Sequence, residues 1–150
     1  MILISIFADN HKHFSEAIQE YLKRLGKTVE IRELKPVKKG TAEQIIEAET
    51  EILREKLAHE KGYTVILSPT GKTLSTEEFW KLIQTQKNAG QKIIFAIGGA
   101  WWLDYNKLAD VCDFQFSLGK MILPHSLALT MLLEQIYRCN EIEKGTGYHK

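Results

Sequence analysis

The chain has 150 residues, 44% hydrophobic and 26% charged, with a formal net charge of +1. That length fits a single domain over residues 1–150, able to bury about two-thirds of its unfolded surface. Near-neutrality excludes a global electrostatic pull toward nucleic acid, so any RNA contact must rest on local patches. No apolar run approaches the ~20 residues that span a bilayer. Cys112 and Cys139 form neither a CxxC pair nor a disulfide framework, which suits a reducing cytoplasm.

Residues 2–8 are a short apolar run rich in isoleucine and predict a buried first strand rather than a signal peptide. Phe14, Ala17, Ile18, Tyr21, Leu22 and Leu25 fall at helical spacing, and Gly26 follows as a cap. Thr28 to Leu34 predicts a second strand, with imperfect alternation, and Lys35 to Gly40 a basic loop. Thr41 and Gln44 have capping-box spacing, followed by a long helix facing inward through Ile45, Ile46, Ile52, Leu53 and Leu57.

Tyr63 to Leu67 predicts the next strand, with Ser68 to Lys72 as the turn leaving it. Ser75 and Glu78 open another helix, which buries Phe79, Leu82 and Ile83. Lys92 to Ile97 is the most continuous strand signal and runs into Gly98-Gly99. A short helix over Leu103 to Asp110 and a strand over Phe114 to Ser117 complete the scaffold. Then comes an apolar loop, Leu118 to Leu123, and a helix over Ser126 to Arg138 that is apolar almost all round.

Strand and helix alternate throughout, which predicts an α/β fold with a mainly parallel sheet covered by helices on both faces. Ligands in such sheets sit outside the carboxyl ends of the strands, so the turns after Leu67, Ile97 and Ser117 should share one rim. Gly98-Gly99 is either a tight turn or a place where backbone approaches a ligand closely. It fits neither the dinucleotide fingerprint nor a phosphate loop. The histidines lack metal-ligand spacing, and solvated surface residues account for most of them. His125, at a helix start, is expected to be a positioned neutral imidazole. Lys35, Lys38, Lys39 and Lys72 either neutralise phosphates or form solvated loops. Trp101 and Trp102 could stack on bases, although packing against the following helix is the commoner use of such residues.

Several motifs occur together: Gly71-Lys72, Ile97-Gly98-Gly99, Ser117 through His125, Leu133-Glu134-Gln135-Ile136-Tyr137-Arg138, and Tyr148-His149-Lys150. This full-length set resembles the bacterial methyltransferases that modify N3 of a pseudouridine in large-subunit (23S) ribosomal RNA, minimal members of the SPOUT class. The resemblance implies a deep C-terminal trefoil knot, S-adenosylmethionine as methyl donor, a homodimer with the last helix in its interface, and a ribosomal RNA substrate. It places cofactor contacts on Leu67, Gly98, Gly99, Leu118, Gly119, Lys120, Met121, Ile122 and Leu123. His149 becomes the candidate for the N3 proton and Tyr148 for shaping the pocket, while Arg138 and Lys150 join the four loop lysines as RNA contacts.

Four features depart from the family pattern: Ser68 where an acid is common, Ala100-Trp101-Trp102 after the glycine pair, Leu129 in place of an arginine, and Gly147 in place of a proline. Two rivals stay open, a methyltransferase for another RNA position and a non-catalytic SPOUT-fold protein that binds RNA or ribosomes. No metal is expected.

Overall fold

The computed structural model describes residues 1–8 and 12–148. His149 and Lys150, and His11 near the N-terminus, lie outside the described residues. Five strands, β1 (Ile2–Phe7), β2 (Val29–Leu34), β3 (Tyr63–Thr73), β4 (Ile93–Ile97) and β5 (Phe114–Ser117), form one sheet in the order β2-β1-β4-β3-β5. Every pairing is parallel. Four helices cover it: α1 (Ser15–Leu25), α2 (Ala42–Ala58), α3 (Thr76–Asn88) and α4 (His125–Lys144).

Successive side chains on a strand point to opposite faces, and here both faces are covered. Ile2, Ile4 and Ile6 of β1, with Ile93, Phe95 and Ile97 of β4, pack under α1, α3 and α4. Leu3 and Phe7, with Ile94 and Ala96, pack against α2 and the segment that follows β4. That burial explains the unbroken apolar runs in the sequence. Both predicted capping boxes form: Thr41 and Ser75 accept from the backbone N–H of Gln44 and Glu78, whose side chains reach back to the cap N–H.

Three elements differ from the sequence expectation. Tyr105–Val111 is a 3-10 helix, its start capped by Asp104. β3 does not end at Leu67: Leu67 and Lys72 both stand opposite Phe116, so Ser68 to Gly71 bulge out and the strand then resumes to Thr73. The return is tight, since a Cβ on Gly71 would lie 2.8 Å from the β5 backbone at Gln115 and Phe116.

The third difference concerns α4. Its apolar excess was expected to meet a second subunit, but Leu129, Leu132, Leu133 and Ile136 are all buried within this chain. α4 lies in the layer of α1 and α3, where one broad face is taken up by the sheet and its flanking helices. Only Met131 stays exposed, with Leu127 half-buried. Core packing therefore accounts for most of that hydrophobicity.

Candidate active-site cleft

Because all five strands are parallel, the turns after them gather at one rim. There the segments Leu67–Pro69, Ile97–Gly99 and Phe116–Gly119 converge with Met121–Leu123 and the start of α4 to line a partly open cleft. Trp102, Tyr105, His125 and Ala128 complete its walls. Eight of the nine sequence-predicted cofactor residues thus line one cavity, Lys120 being the exception, exposed on the outside of its loop.

Ser117 holds the cleft's apolar loop in shape. Its hydroxyl accepts from the Gly119 N–H at 3.2 Å and lies 2.7 Å from the Gly119 carbonyl and 3.3 Å from that of Pro69. One buried side chain so ties the β5 loop to the β3 bulge. Across that bulge Ser68 Oγ accepts from the Thr70 N–H at 3.3 Å. Tyr105 leans on Ser68, and burial pushes its phenol up, partly offset by that hydrogen bond. At neutral pH Tyr105 is a protonated, donor-capable group in the wall.

The glycine pair is required by close approach, though to the protein's own side chains. A Cβ on Gly98 would come within 3.0 Å of Leu103 Cγ, and one on Gly99 within 2.5 Å of Glu49 Oε2. Glu49 is 2% exposed. Its Oε1 accepts from the Val37 N–H at 3.1 Å, while Oε2 has no hydrogen-bond partner among the described residues. Burial holds its carboxyl above the usual carboxylate range. This acid connects the backbone of the Lys35–Gly40 loop, at Val37, to the turn at Gly99; Lys35, Lys38 and Lys39 of that loop are exposed. Sequence reading overlooked it, yet the signal was there: Ile45, Glu49, Leu53 and Leu57 share one helical stripe, which puts a carboxylate on a core face.

The remaining predicted residues are not gathered here. Lys72 is exposed where β3 resumes. Arg138 pairs with Glu134 Oε1 at 2.7 Å, and its guanidinium sits 4.7 Å from the centre of the Tyr148 ring. Tyr148 also packs edge-on against Tyr137. The Tyr148 hydroxyl lies 3.4 Å from Glu134 Oε1, and Glu134 is six residues beyond Ala128, the last cleft-lining residue of α4, about 9 Å along the helix; Tyr148 is not among the lining residues. Tyr148 therefore does not shape this chain's own pocket. Neither cysteine is a ready nucleophile: burial raises the Cys112 thiol and pushes that of Cys139 up to about 12. Among the described residues no group of three or more His, Cys, Asp or Glu could hold a metal ion, and no helix is long and apolar enough to cross a membrane.

A solved methyltransferase of Legionella pneumophila, determined with S-adenosylmethionine bound, shares the fold with a TM-score of 0.56 at 15% identity. The alignment covers 93% of this chain and 66% of that one. Proteins named ribosomal RNA large subunit methyltransferase H are similar over nearly their whole length. Those of Caldicellulosiruptor saccharolyticus and Streptococcus agalactiae are 33% and 34% identical, over 99% of this chain and 98% of theirs. The family described as predicted SPOUT methyltransferase matches residues 1–149. This chain belongs to the SPOUT methyltransferase family.

Proposed function

We propose that the chain is an S-adenosylmethionine-dependent methyltransferase acting on large-subunit ribosomal RNA, at N3 of a pseudouridine, as a homodimer in the cytoplasm. The observation that carries the reading is the convergence of Leu67, Gly98-Gly99 and Leu118 to Leu123 on one cleft. The relatives' names supply the RNA class.

The cleft fits the cofactor. Small-molecule sites combine apolar walls with a few fixed polar groups. Here Leu67, Leu118, Ile122 and Leu123 offer the walls, and the main chain of Gly98-Gly99 and of the Ser117-pinned loop offers the polar groups. When bound, S-adenosylmethionine supplies an electrophilic methyl on a sulfonium. What remains for the protein is positioning, which can be worth roughly 7–11 kcal/mol. The bulge at Ser68–Gly71 and its contact with β5 are consistent with a chain crossing of the trefoil-knot type.

Loss of the N3 proton needs an acceptor or a nearby cation. His149 remains our candidate, with Lys150 beside phosphate. Since Tyr148 rests against Glu134 and Arg138 rather than in its own cleft, we assign the tail to the cleft of a second protomer. Lys35, Lys38, Lys39 and Lys72 would meet phosphates. With a net charge of only +1, the enzyme needs a structured ribosomal target rather than free RNA.

Calorimetric titration with S-adenosylmethionine should give one site per chain. Ribosomes from a deletion strain should then gain one methyl group on a large-subunit pseudouridine, located by mass mapping, far faster than a short stem-loop does. Absence of cofactor binding would favour the non-catalytic rival, and methylation elsewhere would reassign the position.

A further inference from the structure

Trp102 is a bulky residue in a conformation that suits glycine. Its φ is 74°, the only positive value among the described non-glycine residues. Left-handed backbone strains any residue with a Cβ, and such strain persists where surrounding structure holds it for a purpose. What the turn accomplishes is visible in its neighbours. Leu103 enters the core at 5% exposure and packs against Gly98, while the Trp102 side chain is thrown to the mouth of the cleft at 44% exposure. A glycine would make the same turn without strain. Part of the indole is buried against the rim, yet 44% of it still faces water at the mouth of the cleft. Trp101 beside it is 52% exposed, so the expectation that this pair packs against the following segment is overturned.

We propose that Trp102, flanked by Trp101, is the stacking surface that holds the target RNA base over the cleft. The inference rests on the methyltransferase reading above. A ring nitrogen can receive a methyl group only when its base is unstacked and held toward the donor, and an aromatic face replaces the lost stacking. Trp102 and Trp101 are the aromatic side chains exposed at this rim, where Trp102 lines the mouth of the cleft beside Gly98-Gly99.

The test compares the parent with W102G, W102F and W101A by four measurements: cofactor Kd by calorimetry, KM and kcat on unmodified ribosomes, the melting temperature of the free protein, and its sedimentation. W102G should keep a cooperative melting transition and a cofactor Kd within about twofold of the parent, and raise the ribosome KM about tenfold or more. W102F should retain a KM within about threefold of the parent, because a phenyl ring still stacks. W101A should show a smaller rise than W102G. A W102G that loses cofactor binding but keeps its KM would give the indole to the cofactor. A shift in sedimentation of W102G from dimer to monomer would give it to a second copy of the chain. Either result, or an unchanged KM in W102G, overturns the proposal. A parent that binds no S-adenosylmethionine would sink the methyltransferase reading itself.

Discussion

The two ends of α4 handle polar groups in opposite ways. At its C-terminal half, side chains satisfy one another: Arg138 pairs with Glu134 and covers Tyr148, while Tyr137 meets Tyr21 and Tyr148. At its N-terminal end the helix meets a rim built from turns, where fixed backbone, a strained tryptophan and a buried carboxyl oxygen with no hydrogen-bond partner among the described residues stand together. Completed networks hold a fold together. Strain and unmet hydrogen-bonding capacity mark a place kept ready for something else. The same helix therefore serves as core along its middle, as a scaffold for the tail at one end and as a wall of the cleft at the other.

The largest expected effect tests whether the middle of α4 is core. Leu132→Ala should cost about 2–5 kcal/mol in chemical denaturation. The sedimentation behaviour of the folded protein should stay unchanged; a variant that keeps its stability but dissociates would return this stretch to an interface. At the rim, Gly71→Ala pushes a methyl group against the β5 backbone, which cannot swing aside as a side chain would. It should cost about 1–3 kcal/mol and weaken S-adenosylmethionine binding in the same titration.

Smaller effects address Glu49. Gly99→Ala forces a methyl group onto its Oε2, so Gly99→Ala and Glu49→Ala should be non-additive, with a coupling of about 1 kcal/mol in a double-mutant cycle. Additive losses would mean that the acid does not brace the glycine turn. The pH dependence has a definite sign. The folded pKa of Glu49 is raised, so its favourable contribution is fully present below the unfolded value and is lost as pH rises through the folded one. The stability of Glu49→Gln relative to the parent should therefore improve as pH climbs from about 4 toward neutrality.

The smallest change belongs to the satisfied end of α4. Arg138→Gln removes an i,i+4 pair and a cation–π contact and should cost about 1 kcal/mol, with the difference shrinking at high salt. A salt-independent loss would point to the aliphatic stem of Arg138 as the part that matters.

What sequence alone determined was set by local chemistry. Capping boxes at Thr41 and Ser75 depend on residues three apart, so their spacing sufficed. Strand positions followed from apolar runs, because both faces of a parallel sheet are buried and leave no ambiguity of face. The candidate cofactor residues were legible through a resemblance whose motifs lie at strand ends, and the strand order then brought them to one rim. Tertiary structure alone decided matters that involve distant partners. The apolar girth of α4 reads the same whether helices of its own chain or a second subunit cover it, and only packing beside α1 and α3 distinguishes the two. The bulge after Leu67 depends on how β5 lies against β3, 48 residues later at Ser117 and Pro69. Trp102 could have packed inward. Its left-handed backbone arises because Leu103 fills the space against Gly98, and no pattern within the chain announces which of two adjacent large side chains the core will take.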